Sequence, residues 1–112
     1  MSKDPKDFVR HILDECSFII SVSQNVEFKD FIENEILKRA TIRSLEIIGE
    51  AAKKIPSDFK ERWDLIPWKN MAGMRDKLIH NYFGVDNQIV WNVVENELPQ
   101  LKKNLHEIIK SL

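Results

Sequence analysis

MAGMRDKLIHNY, residues Met71 to Tyr82, is the stretch on which the reading of this chain turns. Taken as a helix, it sets Met71, Met74, Leu78 and Ile79 along one apolar stripe, because these positions recur at the three-and-four spacing of helical turns. The stripe belongs in a core. Beside it stands a guanidinium, Arg75, followed by an imidazole, His80, and a phenol, Tyr82. Arginine keeps its charge at neutral pH and gains most from a planar carboxylate or a phosphate, whereas histidine can give and take a proton there. Together they suit phosphate-ester chemistry. At about 100° per residue Arg75 and Tyr82 point nearly the same way, while His80 falls about 140° round from Arg75, close to Asp76. An ideal helix therefore does not aim Arg75 and His80 at one point. Either the helix loosens near Asn81, or the long arginine wraps round, or a second chain with its own copy completes the site.

Working outward, Pro67 opens this helix and Gly84 closes it in a position suited to a left-handed cap. Upstream, a long helical tract runs from about Glu27 or Phe28 to Ile55, bent near Asn34. Its expected buried side is Ile36, Ala40, Ile47 and Ala51, widened by Leu37, Ile48 and Ala52. Gly49, which costs roughly 1 kcal/mol against Ala inside a helix, points to a close helix crossing. Arg39, Arg43, Glu46 and Glu50 share another stripe, read either as a salt-bridged, solvated face or as charges reaching toward His80 or a partner subunit. Pro56 ends the tract, Ser57 and Asp58 begin a short turn with Phe59, and Trp63 packs over the end of the bundle.

The N-terminal helix starts at Asp4-Pro5, a capping carboxylate before a proline, and runs to about Gln24 with Phe8, Ile12, Cys16 and Ile19 or Ile20 inward. Asn25 closes it. At the other end Asp86 caps a helix whose inward side is Ile89, Val90, Val93, Val94 and Leu98, with Trp91 near it. Pro99 kinks or restarts that helix before Leu101, Leu105, Ile108, Ile109 and Leu112 resume the apolar face. Four helical tracts with short connections and no alternating strand pattern describe one all-α domain over 1–112, an antiparallel four-helix bundle with a kinked C-terminal helix.

Composition limits the classes of function. The 112 residues are 43% hydrophobic and 31% charged, which describes a globular chain with a core. The first residues, Met-Ser-Lys-Asp-Pro-Lys-Asp, hold no apolar stretch, so the expectation is a cytoplasmic protein without a membrane anchor. Cys16, the single cysteine, reads as a buried thiol. A net charge of −1 gives no global field for nucleic acid, so any RNA contact is local. Between Lys53 and Lys77 seven Lys and Arg stand against four Asp and Glu, a local excess that an ordinary charged surface would also show. Gly-rich phosphate loops, CxxC pairs, HExxH and serine nucleophile elbows are all missing, and His11, His80 and His106 are scattered without a carboxylate constellation. No metal and no cofactor are expected.

The order of several motifs carries a resemblance. Arg39-Ala40, Leu45 to Ala52 (LEIIGEAA), Ile66-Pro67-Trp68, Met71 to Asp76 (MAGMRD), Ile79 to Phe83 (IHNYF), Val90-Trp91 and Leu98-Pro99 together resemble the HepT-like toxins of the HEPN superfamily. The resemblance covers about Arg39 to Leu101. It implies a HEPN four-helix bundle that pairs as a homodimer and acts as the toxin of a toxin–antitoxin system, cleaving RNA without a metal. In that frame Arg75 and His80 are the catalytic residues. His80 serves as general acid or base, Arg75 holds the scissile phosphate, and Asp76 supports them by orienting a neighbour. Tyr82 is the implied acceptor of an adenylyl group from ATP, transferred by an MntA-like minimal nucleotidyltransferase antitoxin, which would silence the toxin by placing bulk and negative charge beside Arg75. Two other readings of the same residues stand beside this one. In one, Arg75 pairs with Glu46 or Glu50 in a buried polar cluster with Tyr82 as a core aromatic; in the other, the chain is a non-catalytic helical subunit that binds nucleotide or docks a nucleotidyltransferase.

Overall fold

The structure is a computed structural model that describes residues 4–80 and 86–112, with the backbone alone at 79 and 80. Seven α-helices and one π-helical turn make up the described chain, and no strand is among them. Helix α1 (Pro5–Val22) begins where the Asp4 side chain accepts the Lys6 N–H at 2.9 Å and Pro5 occupies the first turn. It ends as Ser23 N–H reaches the Ile19 carbonyl, and Asn25, at φ 62°, turns the chain through the left-handed region that asparagine tolerates.

The long second tract is divided at Asn34 into α2 (Phe28–Glu33) and α3 (Glu35–Lys54). Asn34 both ends one helix and starts the next. Its N–H bonds the Asp30 carbonyl, and its side-chain oxygen accepts the Leu37 N–H at 3.0 Å. This cap sets the rotation of α3 and corrects the expected inner face. Ile36 is 84% exposed, while Leu37, Thr41, Ser44, Leu45, Ile48, Ala51 and Ala52 are buried; Ala40 and Ile47 sit at the boundary. Two inward positions are polar, Thr41 and Ser44, so a stripe traced through apolar residues alone was drawn toward Ile36.

Ile55 and Pro56 lead into α4 (Ser57–Arg62), whose Phe59 is buried edge-on to Trp68, ring centroids 6.3 Å apart. Trp63 packs against the core, and its carbonyl accepts the Trp68 indole N–H at 3.0 Å, which ties the end of the bundle to the start of α5 (Trp68–His80). Asp86 caps α6 (Asn87–Asn92) by accepting from Gln88 and Ile89. Ile89 was expected inward and is 51% exposed, whereas Trp91 is buried against Phe31 with ring centroids 4.8 Å apart. The C-terminal kink takes the form of a π-helical turn at Val93–Glu97, before α7 (Leu98–Ser111). Pro99 has no N–H to offer the carbonyl four residues back and its ring crowds that carbonyl. The backbone widens just before it, and Leu98 N–H bonds Val93, five residues back. Asn81 to Val85, including the expected cap at Gly84, lie outside the described residues.

Helix α3 is the central member, packed on α1 and on α5, while α1 also packs on α7. Val9, Ile12, Cys16 and Ile19 from α1 meet Leu98, Leu105 and Ile108 from the C-terminal tract in one contiguous core. Each such large side chain contributes about 1.5–3 kcal/mol by leaving water, which is why these faces set the bundle. No helix among the described residues is long and apolar enough to cross a membrane.

The tightest contact lies between α3 and α5. A Cβ built on Gly49 would overlap the Arg75 Cβ and stand 2.7 Å from the Met71 carbonyl oxygen, whereas one on Gly73 would meet nothing within 4 Å. Gly49→Ala is therefore expected to lower stability by about 1–2 kcal/mol, with roughly 1 kcal/mol of helix propensity offsetting about 2–3 kcal/mol of overpacking. Gly73→Ala should raise it by about 0.5–1 kcal/mol. Urea denaturation of the two variants beside the wild type checks the opposite signs. Burial pushes the Cys16 thiol up to about 12. In native protein at pH 8 Cys16 should resist alkylation and react once the chain is unfolded in denaturant, a contrast that mass spectrometry reads directly.

Candidate active site

Residues 68 to 80 form α5 because Pro67 starts it and Met71, Met74 and Leu78 supply an inward stripe. Met71 and Leu78 are buried and Met74 packs at the core's edge. Arg75 projects from the flank that faces α3, where the absent side chain of Gly49 makes room for its Cβ. The guanidinium is 30% exposed. One edge is held: Nη1 donates to Asp76 Oδ1 at 3.3 Å. The Nε is buried and has no hydrogen-bond partner among the described residues.

Asp76 has a second partner. Lys53, from the last turn of α3, donates from Nζ to the same Oδ1 at 2.6 Å. One carboxylate oxygen thus joins two cations from two helices. Sequence reading placed Lys53 only within a diffuse basic excess. A sharper signal was present, since Lys53 lies one turn beyond Gly49 on the same face, so the glycine that marks the crossing also points to the lysine beside it.

The structure brings Arg75 and Asp76 together as the motif reading expected. For His80 it gives the backbone position, the last residue of α5, and the His80 side chain lies outside the described residues together with the whole of Tyr82. Arg75 does not pair with Glu46 or Glu50. Glu46 reaches Arg43 at 3.7 Å and Glu50 reaches Lys54 at 3.7 Å, each within its own helix, and Arg39 pairs with Glu35 at 3.7 Å. With Arg39 82% and Arg43 66% exposed, these charges form a solvated ladder along α3, because a partner one turn away costs less ordering than one across a crossing. Among the described residues no three of His, Cys, Asp and Glu come together as a metal-binding group.

The family profile described as "Ribonuclease HepT-like" matches residues 12–108. The chain belongs to the HepT-like ribonuclease family. A relative of this family from Caldanaerobacter subterraneus, named "Putative RNase", is 48% identical over 96% of this chain and 96% of its own. Another from Methanocaldococcus jannaschii, with the same name, is 48% identical over 98% of this chain and 91% of its own. A Thermococcus cleftensis protein named "Probable ribonuclease HepT" is 43% identical over 98% of this chain and all of its own length. No solved structure gives a significant match. The helical bundle and its kinked C-terminal tract accord with the HepT-like, HEPN-type fold.

The charge cluster makes a pH-dependent contribution with a definite sign. The hydrogen bond from Lys53 pulls the Asp76 carboxyl below its ordinary value, partial desolvation opposes this, and Arg75 adds to the fall. A lowered folded-state value favours the folded protein above the ordinary carboxyl pKa of about 3.9, and that contribution is lost as pH drops through the lowered value. The stability difference between wild type and Asp76→Asn should accordingly stay level from pH 7 to 5 and shrink below pH 4, as read from urea midpoints along a pH series.

Proposed function

We propose that this HepT-like ribonuclease is a metal-independent RNA endonuclease and the toxin of a HepT/MntA-type toxin–antitoxin pair. The observation that carries the reading is the guanidinium of Arg75, half-buried at a helix crossing and anchored on one edge by Asp76, with its other donors unspent among the described residues. An arginine held in this way is suited to a phosphodiester, because its planar fork is oriented before the substrate arrives. In the proposed reaction the ribose 2′-oxygen attacks phosphorus and the bond to the 5′-oxygen breaks. His80 takes the 2′-hydroxyl proton or supplies one to the leaving oxygen, giving a cyclic phosphate and a free 5′-hydroxyl. Arg75 offsets the charge that grows on the phosphoryl oxygens. The step uses the substrate's own hydroxyl as nucleophile, so the protein has only to position, neutralise and move a proton.

The same reading assigns Tyr82 as the site of control. Its phenolic oxygen attacks the α-phosphorus of ATP on a cognate minimal nucleotidyltransferase, pyrophosphate leaves, and the resulting adenylyl group sets a phosphodiester where the RNA phosphate would lie. Two chains pairing as a homodimer would set two Arg75–His80 motifs in one cleft, which answers the angular mismatch between these residues on one helix.

Growth and RNA integrity after induction of the wild type, His80→Ala and Tyr82→Phe, each with and without the nucleotidyltransferase, test the assignment. Wild type and Tyr82→Phe should arrest growth and cleave RNA, His80→Ala should lose at least about 100-fold in cleavage rate, and the partner should rescue the wild type alone. A folded His80→Ala that cleaves like the wild type removes the catalytic assignment and leaves a helical subunit that docks a nucleotidyltransferase.

A further inference from the structure

Lys53 sits at the end of α3, one turn beyond Gly49, and Arg75 with Asp76 sits on the stretch of α5 that Gly49 allows to approach. The close crossing brings the lysine over the carboxylate. Of the two lysines that end α3, Lys54 bonds back to Glu50 in its own helix at 3.7 Å, while Lys53 leaves its helix for Asp76 at 2.6 Å. The side chains of Lys53 and Asp76 are 42% and 44% exposed. An ion pair this wet contributes about 1 kcal/mol or less to stability, so packing alone gives little reason for the arrangement. Electrostatics gives a better one: two cations share one carboxylate, which leaves the cluster with a charge of +1 at an accessible surface. Asp76 Oδ1 occupies one donor of Lys53 and one of Arg75, and both cations retain further N–H groups. A phosphodiester carries the one negative charge that would balance the cluster.

We propose that Lys53 is a second phosphate-binding cation of this site, held beside Arg75 by their common carboxylate, so that the RNA backbone is gripped from α3 as well as from α5. The proposal deepens the ribonuclease reading and rests on it for the identity of the ligand. Asp76 is then a positioning residue: it prevents the two cations from repelling one another apart and fixes their spacing. Lys53 supplies grip on the chain and takes no part in moving protons, so its loss should weaken binding more than turnover of bound RNA.

The test uses the full chain and two oligonucleotides, one of plain RNA for cleavage and one of the same sequence with 2′-deoxy sugars, which binds and cannot be cut. Fluorescence anisotropy over a salt series gives affinity and its salt dependence for wild type, Lys53→Met, Lys53→Arg and Lys54→Met, with thermal melts to confirm that each is folded. Lys54→Met changes net charge by the same amount as Lys53→Met, and so reports what charge alone does. Lys53→Met should bind about tenfold more weakly and lose about 0.7 from the slope of log K against log salt. Lys53→Arg should recover most of both, and Lys54→Met should change affinity by less than about twofold. On plain RNA, Lys53→Met should raise KM with kcat nearly unchanged. Equal affinity and slope for Lys53→Met and Lys54→Met overturn the proposal whatever cleavage shows. If the deoxy oligonucleotide binds as expected while wild type and His80→Ala are alike in leaving plain RNA uncut, the ribonuclease reading fails and Lys53 stands as an anion-binding residue on the binding data alone. A wild type that does not bind the oligonucleotide overturns both.

Discussion

The approach of α5 to α3 at Gly49 is the constraint on which the rest of this molecule depends. A side chain at that position would collide with the Arg75 Cβ and press on the Met71 carbonyl, and a carbonyl inside a helix cannot swing aside as the tip of a flexible side chain can. With hydrogen there instead, the two backbones close up. The consequence is electrostatic as much as steric. Arg75 is pressed into the crossing with its stem covered and its fork at the rim, and Lys53 comes within reach of Asp76. A glycine that weakens α3 locally thus allows a charge cluster that neither helix could assemble alone.

That division explains what could be read from the residues in advance. The helices were legible, because Asp4-Pro5, Asn34, Pro56, Pro67, Asp86 and Pro99 all mark boundaries by local chemistry that tertiary packing rarely overrides. The crossing at Gly49 was legible for the same reason, since an unforced glycine in a long helix calls for a neighbour. The rotation of α3 was not. Its inner face includes Thr41 and Ser44, and the Thr41 hydroxyl is buried with no hydrogen-bond partner among the described residues, so hydrophobicity was a poor guide to which side faces in. Lys53 was missed because its partner is 23 positions away; spacing along one helix reports neighbours on that helix and is silent about a lysine reaching across to another.

Pairing along α3 bears on how the site keeps its charge. Arg39, Arg43 and Lys54 are each matched by an acidic side chain three or four residues away, which spends their fields locally and leaves little long-range potential. Lys53 and Arg75 are different, since two of them share one carboxylate. In a chain with a net charge of −1, attraction for a polyanion is then concentrated at one place rather than spread over a face. Binding of that kind is short-ranged and selective for ligands that can enter.

The π-helical turn at Val93–Glu97 has a consequence for how this sequence can change. A bond spanning five residues where four would close an α-helix means that the C-terminal tract holds one residue more than a continuous helix of the same rise would use. Removing one residue from this turn would let the helix run on unbroken and would rotate everything after it by about 100°. Leu101, Leu105 and Ile108, now buried against the bundle, would swing from the core toward water, and Lys103, His106 and Lys110 would be carried round with them. The length of this segment is therefore constrained more tightly than its composition: substitutions among its exposed positions Glu95, Asn96 and Glu97 leave the register of α7 alone, whereas a one-codon deletion there would undo the packing of α7 on α1.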